Sequence, residues 1–211
     1  NKHTKRLTLH VFNNNKLFFL IQIGKFKKKK KMTSHIRKGL KEVEINPASK
    51  LALCCNVVLL YFILENPREI SYWNKKILKM LPTSYRQDVQ NLALIIDVIL
   101  MFEKDAYLPD TSPYKLAVSY FYRKQKLQKE SFEKICLRAL NKISNAASAD
   151  RKDAFQNFKD QLEAIKASKA PGSIPTGLDL FIYWTESKIS KKPLAEIIKN
   201  DLKKSNSKHF N

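Results

Sequence analysis

Histidine is missing from residues 36–208; the four in the chain are His3, His10, His35 and His209. The commonest general base and the commonest metal ligand are therefore absent from most of the chain. Ser–His–Asp and Cys–His nucleophile arrangements have no imidazole to recruit there. Cysteine is nearly as scarce. Cys54, Cys55 and Cys136 form no Cys-x-x-Cys pair, and three thiols without nearby histidine make no standard zinc site. All three fall among apolar residues and read as small buried hydrophobes. Three unpaired thiols suit a reducing compartment. Glycine occurs four times, at 24, 39, 172 and 177. Such scattered glycines cannot form a phosphate-cradling loop, and their scarcity argues against turn-rich β architectures. No apolar run reaches the roughly 18 residues that a membrane-spanning helix needs. No catalytic, cofactor-binding or metal motif survives these exclusions, so the chain reads as non-enzymatic and cofactor-free.

What is abundant is lysine. The 211 residues carry 40 Lys+Arg against 19 Asp+Glu, a formal net charge of +21. Ten of the basic residues lie in 1–31, and the first acid is Glu42, which leaves +11 for residues 32–211. Residues 1–31 read in three ways. One is a targeting segment, although the Lys27–Lys31 run follows the apolar patch 17–23 instead of preceding it, and the segment holds one arginine and no serine. Another is a basic arm for nucleic acid or an anionic membrane. The last is a non-coding stretch read in frame, because Lys, Asn, Phe and Ile are what A/T-rich codons yield and Met32 follows at once. The expected organisation is a disordered basic extension over 1–46, a helical core over 47–167, a linker over 168–177, a C-terminal helical element over 178–202 and a basic tail over 203–211.

Apolar spacing beyond Pro47 is helical almost throughout. Leu51 to Leu64 contains a single polar residue, Asn56, and reads as a helix buried on most sides. Asn66-Pro67-Arg68-Glu69 is a strong start signal, and Ile70, Trp73, Ile77, Leu78 and Leu81 follow on one face, with Pro82 ending the helix. Ser84 with Gln87 opens a long helix to about Glu103, on which Asp97 marks a polar stripe with Gln87, Gln90 and Asn91. After a loop over 104–112, Ser112-Pro113 restarts a short helix. Phe132, Ile135, Cys136, Ala139, Leu140 and Ile143 give the cleanest periodicity in the chain. A helix capped by Ser148 or Asp150 carries Phe155, Phe158, Leu162 and Ile165. The Pro/Gly/Ser stretch 168–177 precedes two last helices. The fold class is all-α: a compact bundle, or stacked helical hairpins, of seven or eight helices.

The positive signal is a basic stripe. Arg123, Lys124, Lys126, Lys134, Arg138 and Lys142 crowd one region, and the last three recur every four residues, away from the apolar face. Tyr114, Tyr120 and Tyr122 lie just upstream. Cations beside aromatics can follow a phosphate backbone and stack bases. Only five arginines follow Glu42, so contacts would be lysine point charges rather than bidentate base readout. A second cluster, Lys188 to Lys208, is mixed with acids. Core packing is the default for Trp73 and Trp184; the rival reading is that Phe181, Ile182 and Trp184 form an apolar patch suited to docking a protein partner, because the four successive bulky residues from Phe181 to Trp184 cannot all face one core. Two functions follow. The first is non-specific nucleic-acid binding, to RNA foremost, through the lysine-rich face. The alternative is an assembly or adaptor subunit that binds other protein subunits, or itself, through apolar helix faces such as 178–184; it rests on the apolar excess in 51–64 and 92–102. The expected location is intracellular, in the cytoplasm or nucleus, or in the mitochondrion if 1–31 is a targeting segment.

Overall fold

The computed structural model describes residues 29–208 except 44, 81–85, 105–107 and 125–130. Pro82, Ser84 and Lys126 lie outside the described residues. Among those described there are nine α-helices, one more than the upper expectation, and no strand. They are α1 (Lys29–Glu42), α2 (Pro47–Ile63), α3 (Pro67–Leu78), α4 (Gln87–Phe102), α5 (Ser112–Lys124), α6 (Phe132–Asn145), α7 (Arg151–Ser168), α8 (Leu178–Ser190) and α9 (Leu194–Lys208). Two short 3₁₀ turns, Leu108–Asp110 and Pro171–Ser173, complete the order. The chain divides into two compact units, residues 1–89 with 195–211, and residues 90–194.

The first unit is organised by α2. Asn46 opens it: its side-chain oxygen accepts from the Ser49 amide at 2.8 Å, and Pro47 fills the first turn. The apolar run then buries Leu51, Leu53, Cys54, Cys55, Val57, Val58, Leu60, Tyr61, Phe62 and Ile63. A helix apolar on nearly every side must be covered on nearly every side. Its end is a Schellman cap: the Asn66 amide donates to Tyr61 O and the Glu65 amide to Phe62 O, each at 3.0 Å. Glu65 sits in the left-handed region there, at φ 49°. Asn66 then caps α3 by accepting from the Glu69 amide at 3.2 Å. Ile70, Trp73 and Ile77 turn inward along α3 as their spacing predicts.

The ninth helix, α1, lies inside the stretch expected to be a disordered extension. Met32 and Ile36 are buried on it, four residues apart. Thr33 shares a 2.7 Å hydrogen bond with the Tyr61 hydroxyl of α2. Arg37 donates to Glu69 of α3 at 2.7 Å, and the Trp73 indole donates to the same carboxylate oxygen at 3.2 Å. The Arg37 guanidinium also lies over the Tyr72 ring, 4.2 Å from its centroid. The high charge of this segment hides a short buried stripe, which composition alone does not reveal.

In the second unit α7 and α8 form an antiparallel hairpin. Lys159 pairs with Glu186 and Lys166 with Asp179, both at 2.8 Å, so the partners advance in opposite directions. The 168–177 stretch, expected to be a linker, closes this hairpin. Gly177 stands at its end with φ 91°. A Cβ there would lie 2.5 Å from a methyl group of buried Leu92. The expected 178–202 element is accordingly divided: α8 belongs to the second unit, and residues from 195 belong to the first.

Two substitutions test these backbone constraints by chemical denaturation. Glu65→Gly removes the left-handed penalty on a side-chain-bearing residue and is expected to stabilise by about 0.5–1 kcal/mol. Gly177→Ala adds both that penalty and the clash with Leu92, and is expected to destabilise by about 1–3 kcal/mol.

Candidate nucleic-acid interface

The candidate face is carried by α5 and α6 of the second unit. Ser131 begins α6, its hydroxyl accepting from the Lys134 amide at 3.3 Å. Cys136, Leu137, Ala139, Leu140 and Ile143 are buried on one side of the helix. Residues four apart on an α-helix differ by about 40° around the axis and about 6 Å along it. Lys134, Arg138 and Lys142 therefore take the opposite side; Arg138 and Lys142 are exposed and Lys134 is half-buried. Arg138 reaches back to the Lys134 carbonyl at 3.4 Å, which lays its guanidinium along the helix.

Helix α5 adds the neighbouring row. Its buried residues include Ala117 and Phe121, and Lys115, Leu116, Ser119, Tyr122 and Arg123 are exposed. The Arg123 Nε donates to the Ser119 carbonyl at 3.1 Å. Lys124 is the last residue of this helix. The two rows meet where the Lys134 ammonium lies over the Tyr122 ring, 5.3 Å from its centroid. The structure thus brings Lys134 to Tyr122 and places Arg123, Arg138 and Lys142 on the outer sides of the same two packed helices.

Charge balance favours an anion here. Between 112 and 145 the chain has eight basic residues and two acidic ones. One of the two, Glu133, accepts from the Asn91 amide group at 2.6 Å. Other acids of the unit pair with lysines of neighbouring helices, away from α5 and α6. Glu186 pairs with Lys159 at 2.8 Å, Asp179 with Lys166 at 2.8 Å, and Glu103 with Lys188 at 2.7 Å. The second basic cluster is less favourable. Its Lys188 is engaged by Glu103, and the remainder is split between the two units.

The expected protein-docking patch is corrected by burial. Phe181 is fully buried and stacks on Phe132, with centroids 5.8 Å apart. Trp184 is buried against Phe102 and Phe155, and its indole donates to Glu103 at 2.7 Å. Ile182 alone of the three is half-buried. The four successive bulky residues do not all face the core: Phe181 and Trp184 turn inward, and Ile182 and Tyr183 are half-buried on the helix flank.

The thiols and the polar stripe of α4 do not add to the interface. Burial pushes Cys54 up to about 11 and Cys55 up to about 12, and raises Cys136 well above the ordinary thiol value. Asn91 and Asp97 are half-buried on α4, whereas Gln90, expected beside them on the exposed stripe, is fully buried. Among the described residues no cluster of His, Cys, Asp or Glu could hold a metal ion, and no helix is long and apolar enough to cross a membrane.

No protein-family model, curated protein or solved structure matches this chain.

The buried thiols carry a prediction. At pH 8 a chromogenic disulfide reagent should modify Cys54, Cys55 and Cys136 at least about 100-fold more slowly than a free cysteine, and denaturant should release all three. The linkage has a definite sign. The unfolded chain loses these thiol protons first, so their contribution to stability is full below about pH 8.5 and declines as pH rises toward 11–12. Denaturation midpoints measured from pH 8 to 10.5 should fall, and Cys→Ser variants should flatten that fall.

Proposed function

We propose that this is a non-enzymatic binding protein that holds nucleic acid, RNA foremost, through phosphate contacts on the α5–α6 face. The observation that carries the reading is the basic row Lys134–Arg138–Lys142 continuing into Arg123 of the adjoining helix, in a segment with eight basic and two acidic residues. Phosphate binding of this kind is electrostatic and sequence-independent. It needs cations at spacings the helix already provides, and no catalytic group. The scarcity of arginine agrees with backbone contact rather than base readout.

The alternative is an assembly or adaptor subunit that docks protein partners through apolar helix faces. Phe181 and Trp184 pack inward, so the 178–184 segment offers little apolar surface for such a partner. The exposed large hydrophobics among the described residues are Tyr72, Leu116 and Tyr122, and the last two lie on the basic face itself.

Titration of the full chain against labelled single-stranded and duplex RNA at 50 and 200 mM salt separates the two readings. With about four phosphates neutralised, affinity should fall about 50-fold or more over that range. The K134E/R138E/K142E variant should lose most of the binding while keeping its helical circular dichroism. Salt-insensitive binding, or a triple variant that binds normally, would refute the phosphate reading.

A further inference from the structure

The sequence offers three tyrosines beside the basic stripe, and the structure separates them. Tyr114 is half-buried, and its phenol is raised from the ordinary value by burial and then by the neighbouring Tyr122. Tyr120 is half-buried with its ring edge-on to Phe121, centroids 5.3 Å apart at 82°. Tyr122 is different: it is 60 % exposed, the most exposed of the large hydrophobic side chains described. Its stripe on α5 continues through Ser119 to Lys115 and Leu116, and Leu116 is itself 49 % exposed. Tyr122 and Leu116 thus leave apolar surface accessible beside a row of cations.

The Lys134 ammonium over that ring joins the aromatic to the cationic row. A strand whose phosphates lie along Lys134, Arg138 and Lys142 therefore passes beside Tyr122. Bases of a single strand can turn out of the backbone and stack on such a ring. Bases of a duplex are already stacked on one another, and reaching the ring would first require unstacking them. Charge complementarity identifies the occupant as a polyanion, and the exposed ring identifies it as one with accessible bases. We infer that the α5–α6 face binds single-stranded nucleic acid in preference to duplex, with Tyr122 as the stacking residue. This rests on the nucleic-acid reading of that face and adds the form of strand it selects.

The test compares a 20-nucleotide single-stranded RNA with a duplex of the same sequence, using the full-length protein. Tyr122→Ala should weaken single-strand binding about tenfold or more and duplex binding less than about twofold. Tyr122→Trp should retain the single-strand affinity. The logarithmic salt slope should stay unchanged in Tyr122→Ala, because no phosphate contact is lost, whereas K134E/R138E/K142E should lower it. If Tyr122→Ala binds single strands normally while the charge-reversed variant does not, phosphate binding stands and the stacking inference falls. If Tyr122→Ala weakens both forms equally, Tyr122 acts only by positioning Lys134, and the inference also falls. If neither variant alters RNA binding, both readings fall. Tyr122-dependent binding to phosphatidylserine vesicles without Tyr122 dependence on RNA would overturn the inference in favour of a membrane surface.

Discussion

The burial of one side of α6 is the constraint from which the candidate face follows. Cys136, Leu137, Leu140 and Ile143 must leave water, and an α-helix has only one way to turn them together. That choice sends Lys134, Arg138 and Lys142 to the other side with no further instruction. Each buried aliphatic side chain contributes about 1.5–3 kcal/mol through removal from water. An exposed lysine contributes far less to folding. Packing therefore dictates the stripe's geometry.

The second unit holds that helix with contacts that are polar at their edges and aromatic at their centre. Phe102, Phe155 and Trp184 meet edge to face, with centroids 5.6–6.0 Å apart. Glu103 closes one side of this cluster by accepting from the Trp184 indole and pairing with Lys188. A buried indole N–H without a partner would cost about 1–3 kcal/mol, so the carboxylate protects the packing as much as it adds to it. Phe132, at the start of α6, stacks on Phe181 of α8. Phe181, expected to meet a protein partner, is thus the residue that packs on the start of the basic helix.

The first unit shows the same economy in another form. Glu69 serves the Arg37 guanidinium and the Trp73 indole with one carboxylate oxygen, while Arg37 lies across Tyr72. This small network fastens α1 to α3, and Thr33 with Tyr61 fastens it to α2. A lysine-rich segment becomes a helix because Met32 and Ile36 find a surface to cover. Composition did not disclose this, since the buried stripe is two residues wide and set among charges.

Local pattern was sufficient for much of the architecture. The cap at Asn66, most of the buried run read over 51–64 and the inner faces of α3, α6 and α7 were all legible from spacing, because they depend on residues within a turn or two of each other. The side of α6 on which the cations stand was legible for the same reason. What spacing could not decide was anything that depends on a distant segment. It could not show that Phe181 meets Phe132, that Trp184 meets Glu103, that 168–177 closes a hairpin, or that Tyr122 alone of three tyrosines stays in water beside Lys134. The helices and the polarity of their faces follow from the 3.6-residue period, which is local. Which of those faces are covered is settled at long range, because covering one requires a partner surface far away along the chain.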